Sequence, residues 1–193
     1  MINALETIDG KLVLFLNSFH TPFLDEFMWL VSARITWIPL YLALIWVVYQ
    51  RNNLKQTILF LFIVVLVVSI TDFISVNGFK EVFLRYRPSH NVQLYPQLHF
   101  YHMTSGELYR GGKYGFISSH AANFAAIITF FSLVVPRFNL RWILWLCVVL
   151  VGISRIYLGV HYFSDVLVGW IVGAGIAIAI YKIVFIPLSK KIV

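Results

Sequence analysis

Five long apolar runs determine what this chain can fold into. They cover about residues 27–49, 54–77, 114–135, 142–158 and 166–188. A helix needs about 20 apolar residues to cross the hydrocarbon core of a bilayer, and most of these runs reach that length. We therefore predict a single all-α integral-membrane domain over residues 1–193, a bundle of five transmembrane helices with six as the alternative.

Composition agrees with a membrane protein and excludes several other classes. Hydrophobic residues make up 60% of the chain and charged residues 12%, whereas soluble proteins average roughly 45–50% and about 25%. A soluble protein of 193 residues could not cover so much apolar surface. The net charge of +7 fits the basic flanks of membrane spans better than a nucleic-acid surface. The single cysteine, Cys147, excludes an internal disulfide.

The N-terminal segment 1–24 carries a different pattern. Apolar residues recur there at helical spacing, with acids between them: Leu5, Ile8, Leu12, Phe15 and Leu16. This pattern predicts an amphipathic helix over residues 3–18 that lies at the membrane interface, with a short first span as the alternative. No cleavable signal peptide is expected, because a basic region before the apolar run is missing.

The charges orient the bundle. One side carries cations and no acids: Arg51, Lys55, Arg137, Arg141, Lys182, Lys190 and Lys191. The positive-inside rule assigns this side to the cytoplasm. The opposite side, here called the site face, holds the acids and the long polar loop 86–113. It also holds several cations that the rule does not explain, and a loop of this length is usually functional.

Three short polar segments lie at the ends of apolar runs on the site face. They are Lys80-x6-Arg87-Pro88, Ser118-Ser119-His120 and Ser154-Arg155-x5-His161-x3-Asp165. Lys80, Arg87 and Arg155 would repel one another at a partly desolvated site unless an anion joined them. Arginine matches phosphate oxygens bidentately, and the hydroxyls of Ser118 and Ser119 lie at a helix start that favours anions. The segments therefore predict a phosphate site.

Two histidines and an aspartate supply reactivity to this site. Asp165 follows His161 by four residues, so on a helical turn it can hold one ring nitrogen and leave the other free to attack phosphorus. His120, on a separate helix, is placed to protonate the leaving alkoxide. The cations can stabilise the transition state without a metal. A metal site built from these three residues is the less favoured alternative, because three cations crowd it.

The three segments resemble the signature motifs of the type 2 phosphatidic acid phosphatase family, which includes vanadium haloperoxidases and glucose-6-phosphatase. The family pattern is K-x6-R-P, then P-S-G-H, then S-R-x5-H-x3-D. The first and third motifs match in full, within residues 79–169. The second departs, because Ile117 replaces the family's proline and Ser119 its glycine.

This resemblance implies a role for each matched residue. His161 would be the nucleophile that forms a phosphohistidine, Asp165 would orient it, and His120 would act as general acid and then as base for water. The phosphate-binding residues would be Lys80, Arg87, Ser118, Ser119 and Arg155. Members of this type need no metal or other cofactor.

The resemblance also implies a lipid phosphatase of the bacterial inner (cytoplasmic) membrane, with its site on the periplasmic face. It would hydrolyse a phosphate monoester or diphosphate on a lipid headgroup, with undecaprenyl diphosphate, lipid A, phosphatidylglycerophosphate and phosphatidic acid as candidates. The F-x-S-S-H variant resembles a lipid A phosphatase-like branch. A lipid phosphotransferase and a non-enzymatic anion-binding or transport protein are the alternatives. The expected partners are the substrate and membrane lipids, with no nucleic acid, and the oligomeric state stays open.

Several residues outside the motifs also carry predictions. Arg34 and Asp72 could pair with each other or line a lipid entry path. Arg85 and Arg110 could contact the substrate, although no motif supports them. The last apolar run carries glycines that predict close helix packing: Gly169, Gly173 and Gly175.

Overall fold

The computed structural model describes the backbone of residues 2–191 and the side chains of residues 5–191. The helices are α1 (Ile2–Asn17), α2 (Pro22–Ser32), α3 (Arg34–Arg51), α4 (Leu54–Phe83), α5 (Ser119–Val134), α6 (Arg141–Tyr157) and α7 (Phe163–Ser189). Within the described backbone, extended pairing is limited to isolated bridges in and beside the loop 86–113. The predicted all-α class is confirmed.

Helix length supports a membrane protein without fixing the number of spans. Among the described residues, α4 and α7 are each long and apolar enough to cross a membrane, at 30 and 27 residues. The pair α2 and α3 passes the same test only if both helices form one bent span. α5 and α6 are apolar but shorter, with 16 and 17 residues.

The first predicted run, 27–49, is broken rather than continuous. α2 and α3 meet at an angle of 68°, because Ala33 between them adopts an extended backbone with ψ of 131°. The indole Nε1 of Trp37 donates to the carbonyl oxygen of Val31 at 2.8 Å and satisfies one acceptor freed at the end of α2. α3 opens with a 3-10 turn over Arg34–Trp37, and Pro39 is the second residue of the α-helical part that follows, a position where a proline is tolerated. The periodicity of the run did not reveal this bend.

The second predicted run, 54–77, continues as helix for six more residues. α4 runs without interruption to Phe83, and its stretch Ile74–Lys80 widens into a π-helix. Such widening often occurs at functional positions, and here it carries Lys80. The helix ends at Leu84, whose φ of 48° turns the chain into the loop that carries Arg87.

α5 begins five residues later than the predicted run 114–135. The side-chain oxygen of Ser118 accepts the backbone N–H of Ala121 and caps the helix, so Ser119 is its first residue. Residues 114–118 are not helical. They instead bring Gly115 against the side chains of Arg87, His161 and Asp165.

α1 packs across the site face through a narrow polar stripe. Its buried side chains, Asp9, Val13 and Asn17, recur every four positions and so share one side of the helix. Asn17 donates from Nδ2 to the carbonyl oxygens of His99 and Tyr157, both at 2.8 Å. The opposite side exposes Ile8 and Phe15, and Leu5 near the start of the helix is exposed as well.

The loop 86–113 covers the same face. Leu98 and Phe100 are buried in a cluster that also includes Val13 of α1, Ile156 of α6 and Val166 of α7. These apolar contacts attach the loop to α1, α6 and α7 and cover the polar site at that end of the bundle.

α5 and α7 pack closely because two glycines remove the side chains between them. A Cβ atom on Gly173 would meet the carbonyl oxygen of Ala122, and one on Gly169 would lie 2.9 Å from the carbonyl oxygen of Ser118. A Cβ atom on Gly175 would meet nothing within 4 Å. The predicted packing role is therefore confirmed for Gly169 and Gly173 and wrong for Gly175.

We predict that Gly173→Ala destabilises the protein, whereas Gly175→Ala does not. Alanine favours a helix over glycine by about 1 kcal/mol, but at position 173 its methyl group would push α5 and α7 apart. Such overpacking costs about 1–3 kcal/mol, which lowers the midpoint of thermal unfolding by several degrees. Thermal unfolding in detergent measures both variants, and equal midpoints would contradict the packing described.

Candidate active site

The structure brings the three polar segments together at the site face. Lys80 lies near the end of α4, and the Ser119 and His120 side chains come from the first turn of α5. The last turn of α6 supplies Arg155. His161 lies in the turn before α7, where Gly159 adopts a φ of +67° that a glycine accommodates without strain.

His161 is held between an arginine and a carboxylate. Its Nε2 lies 3.2 Å from Nη1 of Arg87, and its Nδ1 lies 3.4 Å from Oδ2 of Asp165. The second distance exceeds that of a normal hydrogen bond, and Nδ1 has no hydrogen-bond partner in the described part of the chain. Asp165 itself is fully buried, and its Oδ2 accepts the backbone N–H of Tyr162 at 2.9 Å.

This geometry selects one tautomer of His161. A guanidinium group can only donate hydrogen bonds, so Nε2 must accept from Arg87 and carries no proton. The proton of the neutral ring therefore lies on Nδ1, facing Asp165. Nε2 therefore keeps a lone pair, as a nucleophilic nitrogen requires.

The ring of His161 is neutral at physiological pH. It is 1% exposed, and burial, followed by the positive charges of Arg87, Arg155 and Lys80, holds the pKa of His161 well below its usual range. His120 lies close enough to His161 to add to this effect. A neutral imidazole is the form that attacks phosphorus.

Lys80, Arg87 and Arg155 form a cluster of cations without counter-charges. Within residues 5–191, none of the three lies within ion-pair distance of a carboxylate. Burial, and next the charge of Arg155, lower the pKa of Arg87 to about 10, so it stays charged at neutral pH. Such a cluster favours binding of an anion, because each cation loses hydration and repels the others.

The cations are positioned by neutral partners. Nζ of Lys80 donates to Oγ of Ser119 at 2.7 Å, so the serine that replaces the family's glycine supplies a hydroxyl to the site. Arg155 donates to the hydroxyl of Ser32 and, at 2.9 Å, to that of Tyr109. Its Nε is buried and has no acceptor among the described residues, as expected of a donor that would bind an anionic ligand.

Ser118 is the predicted phosphate ligand that the structure uses differently. Its hydroxyl caps α5, and its backbone N–H donates to the carbonyl oxygen of Asp165 at 3.0 Å. Ser118 therefore joins the start of α5 to the start of α7. The side chain of Ser119 is the serine hydroxyl that faces a site cation.

A cavity of about 200 Å³ opens beside His120. Most of its wall is apolar and comes from α2, α3, α4, α5 and α6, including Val31, Trp37, Val68, Phe124 and Val151. Arg34, Ser32 and Asn123 add polar groups. A group bonded to phosphate on the His120 side would therefore meet a wall that suits an amphiphile.

The motif residues could be identified from the sequence, but the residues that hold them in place could not. Arg34 lines the cavity beside His120, which agrees with the alternative of an entry path, whereas Asp72 accepts from Nδ2 of Asn123 at 3.3 Å. Among the described residues, no ion pair joins Arg34 to Asp72. Arg85 bonds to Asp165, and Arg110 lies over the ring of Tyr95. The signal for Arg85 was its unexplained charge on the site face; nothing local indicated its partner.

A larger cavity of about 580 Å³ lies between α1 and the segment after α4. Its wall includes Glu6, Lys11, Tyr86 and Gln93 and contains none of the predicted catalytic or phosphate-binding residues. The site is thus assigned by its chemistry and not by the size of the cavity.

Known proteins resemble this chain over most of its length. A lipid A 4'-phosphatase from Porphyromonas gingivalis is 36% identical over 183 residues, which cover 95% of this chain and 75% of the relative. A lipid A 4'-phosphatase from Bacteroides thetaiotaomicron is 30% identical over 178 residues, covering 90% of this chain and 75% of the relative.

Two crystal structures share the fold. A PAP2-type phosphatidylglycerolphosphate phosphatase from Bacillus subtilis superposes with a TM-score of 0.69 at 22% identity, covering 99% of this chain and 89% of the other. LpxE from Aquifex aeolicus superposes with a TM-score of 0.58 at 20% identity, covering 89% and 93%. Residues 56–187 match the family model of the PAP2 superfamily. This chain belongs to the PAP2 superfamily and is a phosphoric ester hydrolase of the membrane.

Proposed function

We propose that this protein hydrolyses a phosphate group on a lipid headgroup through a phosphohistidine at His161. The observation that carries the proposal is a neutral, buried imidazole whose Nε2 lone pair lies among cations that lack a carboxylate partner in the described chain. A bound phosphate would neutralise those cations and place its phosphorus beside Nε2. An anion carrier would need the cations but neither His120 nor the His161–Asp165 pair.

In the first step, Nε2 of His161 attacks phosphorus and the bond from phosphorus to the lipid oxygen breaks. His120, which holds a proton once the anionic substrate is bound, donates it to that oxygen, so the lipid leaves as an alcohol or as a shortened phosphate. The ring of His161 gains positive charge, which the carboxylate of Asp165 stabilises. Lys80, Arg87 and Arg155 stabilise the charge that spreads over the phosphoryl oxygens.

In the second step, water attacks the phosphohistidine. His120, now neutral, accepts a proton from that water, and the bond from phosphorus to Nε2 breaks. Inorganic phosphate is released, and the imidazole returns to its neutral form. The cycle consumes one water molecule, needs no electron donor, and is proposed to need no metal.

A lipid A-type phosphate is the substrate class that we favour. Two curated relatives carry the name lipid A 4'-phosphatase and cover at least 90% of this chain. The cavity beside His120, where the leaving group lies in the proposed mechanism, combines an apolar wall with Arg34 and Asn123. Undecaprenyl diphosphate, phosphatidylglycerophosphate and phosphatidic acid are the other candidates.

For the membrane arrangement we propose five spans, α3 to α7, with α1 and α2 at the interface. α1 contacts the ends of α6 and α7 through its polar stripe and exposes Leu5, Ile8 and Phe15, which suits an interfacial helix. The positive-inside rule places the site on the periplasmic face of the bacterial inner membrane.

We predict that His161→Ala lowers phosphate release by about 1,000-fold or more, because no other group can form the covalent intermediate. His102→Ala, which changes an exposed histidine of the loop 86–113, is the matched control and should keep normal turnover. Release of inorganic phosphate in detergent measures both. Normal turnover by His161→Ala would exclude the phosphohistidine mechanism.

We also predict that His161 stays neutral when the pH falls through 6.5, the value at which an unperturbed histidine is half protonated. A lowered pKa means that the proton binds only at lower pH, so the ring keeps its nucleophilic form at neutral pH. ¹⁵N NMR of the imidazole ring should report a proton on Nδ1 and none on Nε2. A doubly protonated ring at pH 6.5 would rule out this electrostatic assignment.

A substrate panel in the presence of a chelator tests the lipid and the metal together. We expect the highest kcat/KM on a lipid A-type phosphate, with unchanged rates in chelator. A higher value on one of the other three lipids would reassign the substrate. Phosphate release that requires an added acceptor lipid would identify a phosphotransferase, and activity lost with chelator would refute metal independence.

A further inference from the structure

Residues outside the three motifs hold the carboxylate of Asp165 in place. Nη1 of Arg85 donates to Oδ1 of Asp165 at 2.8 Å and to Oγ of Ser164 at 2.7 Å. Nη2 of Arg85 donates to Oδ2 of Asp9 at 2.7 Å. Asp9 also accepts the backbone N–H of Ser164 at 3.1 Å and the hydroxyl of Ser164. We call Asp9, Arg85 and Ser164 the support network.

Charge balance explains why this network exists. The carboxylate of Asp165 is fully buried, and an isolated buried carboxylate is strongly unfavourable unless a cation or several donors compensate it. Among the described residues, Arg85 is the cation within ion-pair distance of Asp165. His161 also lies within that distance, but its ring is neutral. Arg85 therefore stabilises the ionised form of Asp165.

Arg85 is itself fixed on several sides. Burial tends to lower the pKa of Arg85, but the charges of Asp165 and Asp9 outweigh burial and raise it above its usual value. The guanidinium lies 4.1 Å from the centre of the Tyr162 ring, over its face. It is thus permanently charged and held between two carboxylates and a ring.

The arrangement determines which way Asp165 points. Arg85 binds Oδ1, and the backbone N–H of Tyr162 binds Oδ2. The carboxylate cannot rotate without breaking one of these bonds, so Oδ2 stays directed at Nδ1 of His161. This direction favours the tautomer that leaves Nε2 free of a proton.

We infer that Arg85 and Asp9 are positioning residues for the phosphatase reaction. They act through Asp165: Arg85 compensates its buried charge, and Asp9 holds Arg85 in place, so that the carboxylate stays directed at His161. α1, which carries Asp9, thereby takes part in the catalytic apparatus. This inference rests on the proposed role of His161 as nucleophile. Among the described residues, no hydrogen bond joins Arg85 or Asp9 to the cations Lys80, Arg87 and Arg155, so substrate binding should not depend on them.

The test is a comparison of kcat and KM in four variants. Removing groups that orient an imidazole through its partner typically costs 10–100-fold. We expect Arg85→Met to lower kcat by about 100-fold and Asp9→Asn by about 10-fold, with KM within about twofold of wild type. Arg85→Lys keeps the charge without the fork and should recover part of the loss. Glu6→Gln makes the same carboxylate-to-amide change at an exposed position of α1 and should behave as wild type.

A second readout separates positioning from folding. ¹⁵N NMR of the His161 ring should show a changed Nδ1 chemical shift in Arg85→Met, because the carboxylate that faces Nδ1 is no longer fixed, while Arg87 still keeps Nε2 free of a proton. Wild-type kcat per folded molecule and an unchanged Nδ1 shift in both Arg85→Met and Asp9→Asn would overturn the inference. So would a rise in KM at constant kcat. Failure of the proposed nucleophile itself would appear separately, as normal turnover in His161→Ala.

Discussion

The site depends on a cluster of like charges that the helices hold close together. Lys80, Arg87 and Arg155 share one end of a largely apolar bundle, and none has a carboxylate partner within residues 5–191. Their repulsion raises the free energy of the empty site, and a bound phosphate lowers it. Burial, together with the same charges, keeps the ring of His161 neutral. In the proposed mechanism one cluster would thus both attract the substrate and favour the reactive form of the nucleophile.

Such a cluster persists only if the backbone around it is rigid. The contact of α5 with α7, made possible by Gly169 and Gly173, fixes the start of both helices. The N–H of Ser118 joins those starts through the carbonyl oxygen of Asp165. The loop 86–113 and α1 then cover the site face with apolar side chains. The packing of α5 against α7 therefore also determines the geometry of the site.

The sequence predicted the class of fold and the residues that meet at the site. Both depend on signals that are local along the chain: apolar run length, and polar groups such as His161 and Asp165 at fixed spacing. It did not predict the bend at Ala33, because a single extended residue leaves the apolar composition unchanged. It placed the start of α5 too early, because Gly115 and Ile117 are as apolar as the helix that follows.

The residues that hold Asp165 in place could not be predicted from the sequence, for a different reason. Asp9 and Arg85 lie 76 residues apart in the chain, and neither has a local pattern that indicates the other. Asp9 reads as one acid of an amphipathic helix, where acids usually face water. Only the folded arrangement shows that Asp9 faces inwards while Leu5, Ile8 and Phe15 of the same helix are exposed.

The hydrogen bond from Arg87 engages the Nε2 lone pair of His161 in the empty site. In the proposed mechanism this bond must break before Nε2 can attack phosphorus. An anion competes for Arg87 as it binds, whereas an uncharged electrophile does not. On this mechanism the site would react with negatively charged groups in preference to neutral ones.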